Sequence, residues 1–179
     1  MSWKPIAFLL LILLSGCKTY VPKFNKITKV ELARSGAWSD YGATISIDSV
    51  LNYKYFGDYA NVKQGYFIGK FDVRFWDTLN HKLEAANFRI ADTATNMNVK
   101  DARYYELIIQ WESGKKRLLR LSDMKADSIL SLCRWIDTTY KRVKLKRVDQ
   151  PFKFETVFHS PLPKPSFNNV KFPPPNNKY

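Results

Sequence analysis

YYELIIQWESGKKRLLRLSDMKADSILSLCRWIDTTY, residues 104–140, is the stretch that decides the fold. Tyr104 to Trp111 and Lys116 to Leu121 are two runs rich in apolar and β-favouring residues. They flank Glu112-Ser113-Gly114-Lys115, whose glycine suits a turn position that needs a positive φ. The period then changes. Ile129, Leu132, Cys133, Ile136 and Tyr140 recur at helical spacing, so a helix capped by Ser122 or Asp123 and running to about Tyr140 is predicted.

The same order occurs upstream. Ile27 to Arg34 alternates with mixed polarity on both faces and reads as a first strand. Thr44 to Val50 turns Ile45 and Ile47 one way and Ser46 and Asp48 the other, and Asn52 to Phe56 follows with Tyr53 and Tyr55 in phase. A turn or bulge belongs near Asp48-Ser49, making a hairpin. Gly65 to Lys70 is a fourth strand, and Phe75, Trp76, Leu79 and Leu83 behind a capping Asp72 predict a helix over about 72–86. Val143 and Leu145 against Arg142, Lys144 and Lys146 read as a further half-buried strand, and Phe152, Phe154 and Thr156 as a last one. The expected fold class is therefore α+β: a two-layer antiparallel sheet packed by two amphipathic helices, with the strand-strand-helix pattern occurring twice. Trp76, Leu79, Leu83, Ile129, Leu132 and Ile136 are the expected helix contribution to the core.

Outside this domain, expected over 27–158, the ends have a different character. Lys4, the apolar run Ile6 to Leu14 and the small residues Ser15-Gly16 form the three parts of a secretory signal. Nine apolar residues in a helix cover about 14 Å, too little for a hydrocarbon core about 30 Å thick. Leu14-Ser15-Gly16-Cys17 resembles the lipobox of bacterial lipoproteins, in which the thiol receives a diacylglyceryl group and the chain is cut before the cysteine. Residues 1–16 are thus read as a lipoprotein signal peptide and 17–26 as the lipidated Cys17 and its tether. Residues 159–179, with six prolines and four asparagines, are read as a tail that builds no core. The expected location is the bacterial cell envelope, with a membrane partner reached through lipid on Cys17. Lys18, in place of the Asp that marks inner-membrane retention in some bacteria, points to the outer membrane.

Several further segments resemble an uncharacterised domain family of small bacterial lipoproteins from Bacteroidetes-type genomes. They are Ile27-Thr28-Lys29-Val30-Glu31-Leu32-Ala33 with Ser35-Gly36, Ile45-Ser46-Ile47-Asp48, Tyr53-Lys54-Tyr55-Phe56-Gly57, Gly65-Tyr66-Phe67-Ile68-Gly69-Lys70 and Phe75-Trp76-Asp77-Thr78-Leu79. The resemblance covers about residues 27–140. It implies export and lipidation but no activity. Family members often carry a Cys-x-Gly-x-Cys-Pro loop where this chain has Ala37-Trp38-Ser39-Asp40-Tyr41-Gly42, so no thiol, disulfide or metal role carries over to that loop.

Charge narrows the partners. The chain has 29 Lys and Arg against 16 Asp and Glu, a net +13. Such a balance favours anionic partners, and an exported chain meets anionic lipid, acidic glycan or an acidic envelope protein before it meets nucleic acid. The densest run is Lys141-Arg142-Val143-Lys144-Leu145-Lys146-Arg147, near in sequence to Lys115-Lys116-Arg117 and Arg120. Lys141, Arg142, Lys144, Lys146 and Arg147 are the candidate contacts to an anionic surface; edge-strand protection is the plainer reading of the same residues. A second class of function, protein or glycan recognition including an immunity or inhibitor role, would use Trp38, Tyr41, Tyr53, Tyr55, Tyr59 and Tyr66 as an exposed aromatic face.

Catalytic signals are sparse, so the chain reads as non-catalytic, with no cofactor and no metal site. His81 and His159 lie apart from ligand-spaced Cys, His or carboxylates, and no nucleophile elbow or phosphate loop is present. An envelope hydrolase would have to draw on dispersed acids such as Asp40, Asp48, Asp58 and Glu106. Lipidation of Cys17 leaves Cys133 without a disulfide partner, in a helical stripe where it reads as a small buried hydrophobe.

Overall fold

The computed structural model of the chain describes residues 25–35, 42–58, 61, 63–91, 102–124 and 127–156. In order these form β1 (Ile27–Ser35), β2 (Ala43–Asp48), β3 (Asn52–Gly57), β4 (Gly65–Lys70), α1 (Val73–Ala85), β5 (Tyr104–Trp111), β6 (Lys116–Ser122), α2 (Ser128–Asp137), a 3-10 turn (Thr139–Lys141) and β7 (Lys146–Val148). The strands make one antiparallel sheet ordered β6-β5-β1-β2-β3-β4-β7, an α+β fold. β1 is central because its neighbours come from both halves of the chain: Leu32 lies opposite Ile45 of β2 on one side and Leu107 of β5 on the other.

Strand alternation decides which residues share a face. Val30 and Leu32 are in register with Ile47 and Ile45, those with Tyr53 and Tyr55, and Leu107 with Leu119. All are buried, and Leu79 and Leu83 of α1 and Ile129, Leu132, Cys133 and Ile136 of α2 join them in one core. Trp76 is only partly buried against it. The opposite face carries Glu31, Ser46 and Glu106, also buried. Part of that face is crossed by the segment after β7. Phe152 packs edge-on against Tyr66, and the Thr156 backbone N–H donates to the Glu31 carboxylate at 2.9 Å.

The turns and caps form where their chemistry requires. Asp48 Oδ1 accepts from the Val50 and Asn52 N–H groups, which closes the β2–β3 turn around Leu51 at φ 68°. Gly114 holds φ 79° in the β5–β6 hairpin. Asp72 caps α1 by accepting from Phe75 N–H at 2.8 Å.

Three sequence expectations are corrected. The second helix starts at Ser128 under Asp127, which accepts from Leu130 N–H at 2.7 Å; Ser122 instead completes β6 and Asp123 accepts from Arg103 N–H. A start at 128 aligns Ile129, Leu132, Cys133 and Ile136 with the core, and the helix proper ends at Asp137. The strand around Val143 and Leu145 is shorter and later, Lys146–Val148, because residues 143–145 wrap over Gly69 rather than lie in a ladder. A Cβ on Gly69 would come within 2.5 Å of Val143 Cγ1 and 3.1 Å of the Lys144 carbonyl oxygen. Phe152 to Thr156 is not a strand, since the Glu155 and Thr156 N–H groups bond to a side-chain carboxylate and not to a neighbouring strand. The signal peptide, Cys17, the tether before Asn25, residues 37–41 of the family loop and the 159–179 tail lie outside the described residues.

Candidate anion-binding cleft

Antiparallel register builds a basic cleft at the β7 end of the sheet. Tyr53 and Tyr55 are fully buried, so alternation turns Lys54 to the other face, where it lies opposite Ile68 of β4, which in turn lies opposite Lys146 of β7. Lys70, two residues beyond Ile68, is opposite Asn52, and Lys144 enters over Gly69. Asn52, Lys54, Ile68, Lys70, Lys144 and Lys146 line a cleft of about 350 Å³, together with Tyr53 and Gly69. The wrap of Val143 and Lys144 over Gly69 carries the late basic run to the two earlier lysines.

The four lysines are exposed, and among the described residues none forms an ion pair. Lys54 lies 5.4 Å from the centre of the Phe152 ring. Four other cations of the sheet are engaged. Arg120 meets Glu106 at 2.9 Å, Lys29 meets Glu31 at 3.0 Å, Lys116 meets Glu155, and Arg34 meets Asp137 at 3.3 Å. A group of ammonium ions without a carboxylate is suited to phosphate or carboxylate oxygens. Ile68, 40% exposed among them, adds an apolar contact for an amphiphilic anion.

Of the five expected contact residues, Lys144 and Lys146 line the cleft. Arg147, next along β7, lies opposite Phe67, and its guanidinium is against Gly65 on the other side of the strand. Lys141 ends the 3-10 turn above the Tyr140 ring at 5.9 Å, and Arg142 follows it, exposed. Lys116, Arg117 and Arg120 are near the basic run in sequence but lie in β6, at the opposite edge of the sheet. Lys54 and Lys70 were missed by sequence reasoning. Their only local signal is that Lys54 alternates with two tyrosines, and its meeting with Lys146 depends on β4 and β7 pairing.

Other candidate residues have structural engagements. Tyr53 and Tyr55 are core residues and not part of an exposed aromatic face; Tyr53 Oη lies 3.1 Å from Thr139 Oγ1, and burial raises the pKa of both phenols. Tyr66 packs between Phe56 and Phe152. Trp38, Tyr41, Tyr59, Asp40 and His159 lie outside the described residues. Asp48 closes a turn and Glu106 pairs with Arg120. Glu31, which sequence reasoning passed over, is a second buried carboxylate on the same face as Glu106. His81 is exposed on α1, and among the described residues no three His, Cys, Asp or Glu side chains gather as a metal site. Cys133 is a buried free thiol whose pKa is raised by burial. No helix among the described residues is long and apolar enough to cross a membrane.

No protein-family model, no curated protein and no solved structure matches the chain.

Proposed function

We propose that this chain is a lipid-anchored, non-catalytic protein of the bacterial cell envelope, held in the outer membrane through Cys17, whose domain binds an anionic envelope component. The observation that carries the binding role is the cleft of Lys54, Lys70, Lys144 and Lys146, which has no carboxylate partner among the described residues. The signal-like leader and Leu14-Ser15-Gly16-Cys17 support the address. The architecture belongs to the same reading: a two-layer domain with both helices on one face of the sheet. It is supported by Leu79, Leu83, Ile129 and Ile136 sharing a core with the Val30, Leu32, Ile45 and Ile47 face.

Two measurements test this reading. Metabolic palmitate should label the wild-type chain and not Cys17→Ser; equal labelling of both would refute the anchor. The chain beginning at residue 18 should bind vesicles containing phosphatidylglycerol at low salt and release them at about 1 M salt, where the Debye length falls to about 3 Å. Binding that ignores salt, or no binding, would refute the anionic partner.

A further inference from the structure

We infer that the anionic component is the headgroup layer of the bilayer that holds the Cys17 lipid, and that the domain docks on it end-on, through the end of the sheet where β1 begins. The inference rests on the lipid-anchor reading above and adds an orientation and a contact surface to it.

The chain enters the described domain at a fixed point. Asn25 is tied to the β5–β6 hairpin: Ser113 N–H donates to Asn25 Oδ1 at 3.1 Å, and Asn25 Nδ2 donates to Ser113 Oγ. Glu112 N–H donates to the Lys26 carbonyl at 2.8 Å. Antiparallel register brings the other connections of this end beside it. Ser49 N–H donates to the Thr28 carbonyl, and Phe71 N–H to the Leu51 carbonyl, so the β2–β3 turn, the end of β4 and the start of α1 adjoin the entry point. The lysine cleft opens here too, since Asn52 and Lys70 are the terminal pair of β3 and β4.

The surface of this end has the two properties that a bilayer surface selects. Val50 and Val73 are 68% and 62% exposed, at the tip of the turn and the first turn of α1. Around them Lys26, Lys70, Arg74 and Lys115 are exposed. Of the acids at this end, Asp48 and Asp72 accept backbone N–H groups of the turn and the helix cap, Glu155 pairs with Lys29 and Lys116, and Asp77 and Glu112 are exposed. Apolar tips set among cations suit an anionic headgroup layer with hydrocarbon beneath it; a soluble glycan would leave the valines in water.

Reach gives the orientation. From Cys17 to Asn25 is eight residues, which span no more than about 28 Å when fully extended. β1 has nine residues and is itself roughly 26–30 Å long. Docking through the opposite end would oblige the tether to run back along the whole sheet at its full extension. Docking through the near end requires no such extension.

The test uses the full lipidated chain reconstituted into vesicles of phosphatidylethanolamine and phosphatidylglycerol that contain nitroxide-labelled lipid. A fluorophore is placed in turn on Val50→Cys, Val73→Cys and, at the other end of the sheet, Gln64→Cys. Lipidation of Cys17 and burial of Cys133 leave one thiol to label. Flotation and intact mass report the anchor separately. Quenching is expected at 50 and 73 and not at 64. It should be lost in phosphatidylcholine alone, or in a Lys70→Glu/Lys144→Glu variant that still floats. Chains that float with the label at 50 quenched no more than at 64 would overturn the docking and leave the anchor standing. Equal quenching in phosphatidylcholine would overturn the headgroup assignment. Failure to float with an unmodified Cys17 would overturn the anchor, and the docking with it.

Discussion

Glu31 and Thr156 meet across the sheet through a 2.9 Å hydrogen bond, the buried carboxylate accepting from the Thr156 backbone N–H. The same carboxylate accepts from Glu155 N–H and pairs with Lys29 at 3.0 Å, so one side chain of the central strand holds the segment after β7 on the sheet. Replacing it with Ala removes the acceptor for two N–H groups and leaves Lys29 without one of its two carboxylates. Breaking a buried pair in this way costs about 3 kcal/mol. Glu31→Ala should therefore unfold at lower urea and be cut faster by trypsin at the exposed Lys153. Wild-type stability with an unchanged cleavage rate would show that the carboxylate is not what holds the segment.

Acid should loosen the same attachment. Glu155 accepts from Lys116 and from Lys29, and these bonds hold its carboxyl below the ordinary value of 4.5. The folded chain thus binds this proton less readily than the unfolded chain does. The stabilisation is complete above the unfolded value and fades as pH falls through the lower folded one. Wild type should lose more stability than Glu155→Gln on acidification below 4.5, measured by urea unfolding at stepped pH. Parallel acid limbs in the two proteins would contradict this.

Local signals in the sequence account for much of this fold. Ile45 and Ile47 alternating with Ser46, Gly114 between two strands, and Asp72 ahead of Phe75 and Leu79 each act over a few residues, and each forms the element expected. Alternation says which residues share a face but not what covers it, and for that reason Tyr53 and Tyr55 could be read as surface aromatics although both are fully buried. The spacing of Val143 and Leu145 is the same for a strand as for a chain wrapping an edge; only contact with Gly69 separates the two. Ser122 or Asp123 is the cap expected for the second helix from local sequence, whereas burial of Ile129, Cys133 and Ile136 goes with a start under Asp127. The cleft was legible only in part. Lys144 and Lys146 stand in an obvious basic run, whereas their meeting with Lys54 and Lys70 needs β7 to pair with β4, a choice made by long-range packing.

Gly69 links fold to cleft without carrying charge. A methyl group there would overlap Val143 Cγ1 at 2.5 Å and press on the Lys144 carbonyl oxygen at 3.1 Å, and backbone can yield only by moving residues 143–146. Overpacking of this kind costs about 1–3 kcal/mol. Gly69→Ala should lower stability by that amount and also weaken binding to phosphatidylglycerol vesicles at unchanged net charge. Affinity equal to wild type in a protein that remains folded by circular dichroism would mean that the positions of Lys144 and Lys146 do not matter.

Anion binding and edge protection make opposite forecasts for the lysines themselves. Each Lys near an anionic surface contributes about 1 kcal/mol, close to fivefold in affinity, so Lys144→Ala/Lys146→Ala should weaken vesicle binding by roughly thirtyfold. Lys116→Ala/Arg117→Ala, at the opposite edge where Lys116 already pairs with Glu155 and Arg117 donates to the Ala91 carbonyl, should change it by less than about threefold. If Lys146 serves instead to keep the β7 edge from pairing with other chains, its loss should raise light scattering as the protein self-associates and leave vesicle affinity intact. Co-sedimentation and scattering on the same two variants decide between them. A cleft function requires the loss of affinity to follow Lys144 and Lys146 and not the overall charge, which both double substitutions lower equally.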